Sequence, residues 1–183
     1  GTFTDTNATL PNGGDPVVAV GDYDNDGYPD IYLEATGHSY LLHNNGNFNF
    51  TQISAGIPDV TYSAAAWGDY NGDGKLDLAL AGEDGTGSMA RIYRNDGGAV
   101  FTEINPGLIG TWRGAVAWGD YDGDGRQDLL ICGEGHVNAS YYYVCNLYRN
   151  EGGDVFTNVA ANLQGTYQSS AAFGDYDGDG DLD

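Results

Sequence analysis

The sequence predicts an all-β protein built from consecutive units of four antiparallel strands. Three observations lead to this fold class. A nine-residue acidic motif occurs four times, a Phe-Thr pair precedes each copy at a constant distance, and no stretch has the hydrophobic period of a helix. The 30 Gly and 14 Tyr residues among 183, with only five Pro, are typical of many short strands joined by tight turns.

The acidic motif defines the repeat. Each copy begins with an Asp, and the Phe of a Phe-Thr pair always lies 19 residues before that Asp. The spacings between copies are 47, 51 and 55 residues, and an Asn stands six residues before the last three Phe residues. The first Asp residues are Asp22, Asp69, Asp120 and Asp175; the Phe residues are Phe3, Phe50, Phe101 and Phe156; the Asn residues are Asn44, Asn95 and Asn150.

Each repeat contains four apolar stretches that predict strands. The first stretch is short and made of small residues, which suits a crowded position where neighbouring units converge; it covers residues 16–20, 64–67, 115–118 and 171–173. The second stretch follows the acidic motif at 31–33, 78–81 and 129–132, and the third covers 40–43, 90–94 and 144–149. A turn with Asn and Gly, residues that suit positive φ, leads to the fourth at 48–53, 100–104 and 155–159.

The hairpin between the second and third strands absorbs the differences in repeat length. From the last Asp of the motif to the following Asn, the separations are 14, 18 and 22 residues. Steps of four add two residues to each strand, and an even number preserves which side chains face which side of a pleated sheet. We therefore expect a hairpin that lengthens outward from a constant base.

Four-stranded units with this period predict blades of a β-propeller, arranged as one propeller segment over 1–183. A complete ring needs roughly four to eight blades. We therefore expect further blades from the same longer chain or from a neighbouring subunit. The expected divisions are the outer strand of a preceding blade at 1–15, blades at 16–60, 61–110 and 111–165, and the start of a further blade at 166–183.

The charge balance excludes several classes of partner. Six Lys and Arg against 27 acidic residues give a formal charge of −21, which disfavours electrostatic binding to nucleic acid or to an anionic membrane. No apolar run approaches the roughly 18 residues of a membrane helix, so no membrane insertion is expected. The first residues lack the basic-then-apolar pattern of a signal peptide, as expected of a mature or excised chain.

The acidic motif has the chemistry of a calcium loop. Calcium takes about six to eight oxygen ligands, and a tight loop with oxygens at alternate positions can surround one ion. Positions 1, 3, 5 and 9 of the four copies hold 15 of the 27 acidic residues, position 7 offers a backbone carbonyl, and position 6 is Gly. The predicted ligands are Asp22, Asp24, Asp26, Tyr28 and Asp30; Asp69, Asn71, Asp73, Lys75 and Asp77; Asp120, Asp122, Asp124, Arg126 and Asp128; and Asp175, Asp177, Asp179, Asp181 and Asp183.

Up to four Ca²⁺ ions are therefore expected, one in each loop, and they would change the formal charge from −21 to −13. Without metal, converging carboxylates would repel one another. The motif is not an EF-hand, which needs a bidentate Glu at position 12 and flanking helices. Position 12 is instead Leu33, Leu80 or Ile131, within a predicted strand.

The pattern Gly-Asp-Tyr-(Asp/Asn)-x-Asp-Gly-x-x-Asp at 21–30, 68–77, 119–128 and 174–183 resembles the FG-GAP/VCBS repeat family, the calcium-binding blades of integrin α-subunit-type propellers. The resemblance covers almost the whole chain. It implies a propeller with Ca²⁺ on one face that is extracellular or at the cell surface and serves cell adhesion or ligand binding. The Phe-Gly/Gly-Ala-Pro element of the family is matched only loosely.

Two further sequence features indicate an oxidising, extracellular setting. Cys132 and Cys145 lie in one hairpin, at the positions that Ala81 and Ala90 occupy in the preceding repeat. A cross-strand disulfide is expected there, with two buried free thiols as the alternative. Three glycosylation sequons begin at Asn7, Asn49 and Asn138.

A candidate ligand face lies opposite the acidic loops. The connectors that lead into the first strands carry aromatic residues, and these connectors share one face with the tips of the variable hairpins. The aromatic rings could stack on a sugar or anchor a protein loop, and packing between blades is the alternative. The residues are Tyr62, Trp112 and Tyr167, with His136 and Tyr141 from the longest hairpin.

Together these features predict a non-enzymatic binding or adhesion module that presents this face to a protein or glycan. The sequence contains no nucleophile–base set, phosphate loop or zinc pattern, and the clustered acids are all assigned to metal. Two alternatives stay open: a glycosylated structural subunit of an extracellular fibre or surface assembly, and an accessory domain of a secreted enzyme.

Overall fold

In the computed structural model, residues 8–137, 140–178, 180 and 182 are described. This part of the chain contains three four-stranded antiparallel sheets, and each sheet is formed by four strands that are consecutive in sequence. The described part contains no helix of the length and apolar character needed to cross a membrane. The first sheet comprises β1 (Val17–Gly21), β2 (Asp30–Ala35), β3 (His38–Asn44) and β4 (Phe50–Ile53); the second β5 (Thr61–Gly68), β6 (Asp77–Glu83), β7 (Ser88–Gly97) and β8 (Val100–Ile104); the third β9 (Trp112–Gly119), β10 (Asp128–Val137), β11 (Ser140–Gly152) and β12 (Val155–Asn158).

Twelve strands lie where the sequence predicted them, but the prediction of a strand at 171–173 is wrong. These residues form no strand, and no described segment forms a ladder with them. Phe173 nevertheless packs on Gly119, whose hypothetical Cβ would lie 2.5 Å from the ring, as Trp118 packs on Gly68 in the repeat before. Residues 8–15 also form no strand, and Phe3 lies outside the described residues.

Neighbouring sheets meet through their first strands. β5 contacts β1 on one side and β9 on the other, which is the convergence that the small residues of these strands predicted. The apolar core lies between the sheets. One cluster, which includes Tyr32, Leu78 and Tyr93, joins the first sheet to the second, and another, which includes Ile92 and Leu129, joins the second to the third.

The variable hairpin has a constant base, as predicted, but it does not lengthen by two residues per strand at each step. The base pairs Ile31 with Leu42 in the first sheet, Leu78 with Tyr93 in the second and Leu129 with Tyr148 in the third. The second hairpin then has only one more ladder pair than the first, and its remaining extra residues enlarge the turn to residues 84–87. The third hairpin puts its additional residues into the ladder, which continues to the pair of Val137 and Ser140. An even number of inserted residues can enlarge the turn or lengthen both strands, and neither changes the register of the ladder. The length of the insertion alone therefore could not predict which of the two would occur.

The predicted disulfide is confirmed. Cys132 and Cys145 are directly opposite each other in the β10–β11 ladder and are joined covalently. Ala81 and Ala90 occupy the same place in the second sheet, where they also pair directly. A structural disulfide is typical of proteins from oxidising compartments.

Replacing both cysteines with alanine should lower stability without changing the fold. The double variant Cys132→Ala/Cys145→Ala reproduces the Ala81–Ala90 pair, so the ladder should keep its register. Loss of a short cross-link should reduce the free energy of unfolding by about 2–3 kcal/mol, chiefly because the unfolded chain gains freedom. Urea unfolding of the oxidised protein and the double variant measures this difference. Equal unfolding midpoints would contradict a stabilising role for the disulfide.

Candidate functional site

The acidic loops fold around their first carboxylate. Asp22 Oδ1 accepts a hydrogen bond from the backbone N–H of Asp26 at 3.1 Å, and Oδ2 accepts one from Gly27 at 2.8 Å. The corresponding bonds to Asp69 and Asp120 have nearly the same lengths. Gly27 has a φ of 91°, which explains why position 6 of the motif is Gly.

The ninth position closes the loop from inside the protein. Asp30, Asp77 and Asp128 are completely buried. Asp77 accepts hydrogen bonds from the backbone N–H groups of Tyr70, at 3.2 Å, and Asn95, at 2.7 Å, and the other two make equivalent bonds. Burial raises the pKa of the Asp77 carboxyl to about 7 and raises the pKa values of Asp30 and Asp128, because the charged form loses hydration.

The Asn that precedes each Phe by six residues connects neighbouring sheets. The side-chain amide of Asn95 donates to Leu76 O in its own sheet, at 3.1 Å, and to Tyr23 O in the preceding loop, at 2.7 Å. Asn150 makes the same pair of bonds to Gln127 O and Tyr70 O. We expected this Asn to supply positive φ in the turn, which is wrong.

Positive φ is instead found at Gly97, Gly98 and Ala99, which lie between Asn95 and the start of β8. The Asn side chain accepts a hydrogen bond from the N–H of Gly97 at 2.9 Å, so it orders the turn from one end. The preference of Asn for turns is therefore satisfied by side-chain bonding to the backbone rather than by a left-handed conformation.

Aromatic side chains complete each contact between sheets. Tyr70, at position 2 of the second loop, stacks on Trp118 with ring centroids 6.1 Å apart, and Phe156 tilts against both rings. Tyr23, Trp67 and Phe101 repeat this arrangement between the first two sheets. The 19 residues that follow Phe101 thus lead from the aromatic contact between the first two sheets to the one between the second and third. Because the packed sheets set the distance between these two contacts, the separation between each Phe and the next acidic loop is constant.

The carboxylates of the loops converge. Ligand atoms of Asp22, Asp24 and Asp26 lie within 4.8 Å of one another, and so do those of Asp120, Asp122 and Asp128. Only oxygen donors are present in these two groups, which suits a hard divalent cation. Among the described residues the second loop forms no such acidic triplet. The fourth loop is described only in part: Asp175 accepts hydrogen bonds from Gly178 and Gly180, while Asp179, Asp181 and Asp183 lie outside the described residues.

Basic side chains lie against the same carboxylates, and the sequence reasoning missed them. His43 Nδ1 is 3.3 Å from Asp24 Oδ2 and 3.2 Å from Asp30 Oδ1. Arg149, which occupies the equivalent position, is 2.8 Å from Asp122. The available signal was a basic residue immediately before the Asn of each repeat, namely His43, Arg94 and Arg149. Arg94 departs from the pattern, because it pairs with Asp96 and Asp154 and not with its loop. At position 7, Lys75 and Arg126 also pair with the position 5 carboxylates of their own loops.

The opposite end of the sheets carries an aromatic cluster. The rings of Tyr62 and Trp112 are 5.3 Å apart, His136 lies 6.1 Å from Trp112, and Tyr141 lies 6.1 Å from His136. We call these four residues the aromatic cluster. Tyr167 was expected in the same group but packs on Tyr143, at 5.3 Å. It corresponds to Trp112 one repeat later, so it lies beside the long β10–β11 hairpin instead.

Of the three predicted glycosylation sites, Asn49 is exposed between β3 and β4, so its side chain is accessible. Asn7 and Asn138 lie outside the described residues. Glycosylation at all three stays a prediction.

The fold and the loops define a tandem-repeat β protein with one acidic loop per unit. Two segments, residues 34–80 and 69–131, match the model of the FG-GAP-like repeat, and together they cover more than half of the chain. The chain belongs to the FG-GAP-like repeat family, as the acidic motif predicted.

No curated protein matches the chain. Among solved structures, the chain is similar to a lectin of Agrocybe aegerita, in a structure described as the basis of specific recognition of non-reducing terminal N-acetylglucosamine. The TM-score is 0.51 and the sequence identity is 22%, over 78% of this chain and 37% of that chain. This chain therefore spans well under half of the lectin and shares its fold over that part.

Removing the amide that joins two sheets should destabilise the protein. Asn150→Ala would leave the carbonyls of Tyr70 and Gln127 without their side-chain donor in a buried setting. We expect the free energy of unfolding to fall by about 3 kcal/mol, since unsatisfied buried groups cost about 1–3 kcal/mol each. Asn105→Ala, at an exposed position, should change it by no more than about 0.5 kcal/mol. Similar losses in both variants, measured by urea unfolding, would contradict the special role of Asn150.

Proposed function

We propose that this chain is a calcium-stabilised β-propeller segment of an extracellular protein and that it binds a glycan through the face opposite the acidic loops. The aromatic cluster of Tyr62, Trp112, His136 and Tyr141 on that face is the observation that carries the proposal. We propose a binding role rather than catalysis, because the triplets of metal-binding side chains in the described residues all lie at the acidic loops.

The propeller arrangement is supported by how the sheets meet. Three sheets of identical strand order follow one another, and each contacts the next through its first strand. Radial repetition with the first strand innermost is the arrangement of propeller blades. In the proposed molecule these sheets are three blades, and further blades come from the same longer chain or from a neighbouring subunit.

The loops fit Ca²⁺. In the first loop Asp22, Asp24, Asp26 and Asp30 would hold the ion with the backbone carbonyl of Tyr28. The second loop would use the Asn71 amide oxygen where the others have Asp, and the third and fourth loops offer the same positions as the first. A bound divalent cation supplies positive charge that offsets the repulsion among these carboxylates. In the second and third loops, Lys75, Arg126 and Arg149 already lie beside these carboxylates and offset part of that repulsion.

The aromatic cluster has the composition of a carbohydrate-binding surface. Tyr62 and Tyr141 are 41% and 64% exposed, although each contacts another aromatic ring. Exposed rings held by neighbouring rings offer apolar surface at a low entropic cost. The hydroxyl groups of Tyr62 and Tyr141 can also bond a polar ligand. The likeness to a lectin over 78% of this chain is compatible with a glycan ligand. A protein ligand at the same surface is the alternative.

An extracellular setting is supported by the disulfide and the family. Cys132 and Cys145 form a cross-strand bond of the kind that persists in oxidising compartments. A glycoprotein would carry sugars at some of the three sequons, with Asn49 accessible in the described residues.

Chelation should lower the thermal stability of the protein. If the folded form binds Ca²⁺ and the unfolded form does not, each site saturated at 100 times its Kd contributes about 2.7 kcal/mol. Adding EGTA should therefore lower the melting temperature by more than ten degrees, and excess calcium should restore it. Differential scanning calorimetry with and without chelator measures the effect. A melting temperature that is unchanged by EGTA would contradict calcium stabilisation.

Loss of the exposed rings should weaken glycan binding. Screening on a glycan array identifies the glycan that binds most tightly, and isothermal titration gives its Kd for each variant. Tyr62→Ala and Tyr141→Ala should each raise Kd about tenfold, since loss of an aromatic contact costs about 1–1.5 kcal/mol. Phe48→Ala removes a ring that is 63% exposed in the turn between β3 and β4, near the acidic loops, and should leave Kd unchanged. An equal effect of Phe48→Ala, or no binding to any glycan, would contradict the proposed face.

A further inference from the structure

A pocket of about 480 Å³ opens beside the aromatic cluster, where the first strands of the sheets begin. Asp15, Tyr62, Arg113 and Gln168 contribute to its lining. Each of these residues lies seven positions before the first Asp of an acidic loop. The pocket is therefore built from one equivalent position in all four repeats. Sequence reasoning missed this set of equivalent positions because it grouped Tyr62 with Trp112. The residue that corresponds to Tyr62 in the next repeat is Arg113.

The backbone at this position is strained in the same way in three repeats. Tyr62, Arg113 and Gln168 have φ values of 51°, 48° and 50°, in the left-handed region. This conformation is unfavourable for a residue other than Gly. In the second and third sheets the position lies in a β-bulge, where two residues of the first strand face a single Gly of the second, Gly82 or Gly133. A bulge redirects side chains, and repeated strain of this kind is often found at ligand sites.

Arg113 differs from the other Lys and Arg side chains of the chain. Its guanidinium carbon lies 4.4 Å from the ring centroids of both Tyr62 and Trp112, so two aromatic rings hold it in place. Within the described residues it forms no ion pair, although Asp15 lines the same pocket. The other five Lys and Arg residues all pair with acids: Lys75 with Asp73, Arg91 with Asp84, Arg94 with Asp96, Arg126 with Asp124, and Arg149 with Asp122.

A chain with a formal charge of −21 thus has one Arg that forms no ion pair among the described residues, and this Arg lines a pocket on the proposed ligand face. We propose that this pocket binds the carboxylate of an acidic sugar and that Arg113 is the residue that recognises it. The inference rests on the proposed glycan-binding function and specifies the chemical class of the glycan.

The residues of the pocket suit such a ligand. A guanidinium can donate two parallel hydrogen bonds to a carboxylate, and the donors of Arg113 are not used by an acidic partner among the described residues. The exposed part of the Tyr62 ring, which the Arg113 guanidinium does not cover, can contact the sugar. The side-chain amide of Gln168 can donate to or accept from ring hydroxyls, and the Asp15 carboxylate can accept from them. The backbone N–H of Gln168 donates to Arg113 O, which couples the two residues. A neutral sugar would cover the guanidinium without compensating its charge, which costs free energy.

Two changes that remove the same interaction test the proposal. The array should include neutral glycans with terminal N-acetylglucosamine, glycans ending in a hexuronic acid, sialylated glycans, and an acidic peptide. We expect tightest binding to one of the carboxylated glycans. Reducing its carboxylate to the alcohol should raise Kd at least tenfold, and Arg113→Gln should raise Kd by a similar factor. The two changes combined should cost little more than either alone, because both remove one ion pair.

Further variants separate recognition from folding. Arg113→Lys keeps the charge but loses the planar fork, so its Kd should lie between those of the wild type and Arg113→Gln. Arg91→Gln removes a basic side chain that is already paired with Asp84 and should leave Kd unchanged. Circular dichroism and the melting temperature establish that each variant is folded.

The outcomes distinguish the two proposals. Binding only to neutral glycans, or binding to acidic glycans that is unaffected by Arg113→Gln, would overturn the carboxylate assignment and leave glycan binding intact. Binding only to the acidic peptide would overturn the assignment to a sugar. Binding to no glycan at all would overturn the proposed function together with this inference.

Discussion

A buried carboxylate and a buried amide, Asp77 and Asn95 in the second sheet and Asp128 and Asn150 in the third, join each acidic loop to its own sheet and to the loop before it. The Asp accepts two backbone N–H groups, and the Asn donates to two carbonyls from different sheets. Breaking this set would leave several buried polar groups without partners, which is expensive in a low-dielectric interior. The relative placement of the sheets therefore depends on it, and the stacked Tyr, Trp and Phe rings pack around it.

This arrangement divides each unit into a constant end and a variable end. At the loop end, the same hydrogen bonds recur in successive repeats with nearly the same lengths. At the other end, the equivalent positions hold residues as different as Asp15, Tyr62, Arg113 and Gln168, and the hairpins differ in length and turn size. Stability is concentrated at the first end, so the second can vary without loss of the fold. That separation is why the proposed ligand site lies at the end opposite the acidic loops.

Much of this could be predicted from the sequence because it is periodic. The strands, the adjacent first strands and the disulfide all followed from the alignment of one repeat on the next, since equivalent residues occupy equivalent places in a repeated structure. Non-periodic details could not be predicted. Whether four extra residues enlarge a turn or extend a ladder depends on side-chain packing at the hairpin tip. The segment 171–173 has the composition of a strand but no described neighbour to pair with.

The sequence by itself determined the repeat, its strands and the chemistry of the acidic loops, because these depend on local spacing and on residue type. Tertiary structure decided which distant side chains meet. His43 approaches Asp24, and Arg113 lies over Tyr62 and Trp112, only because the folding of each sheet and the packing between sheets bring them together. The one-residue offset that makes Arg113 the counterpart of Tyr62 is present in the sequence, but its meaning depends on the bulges and left-handed residues that turn both side chains toward one pocket.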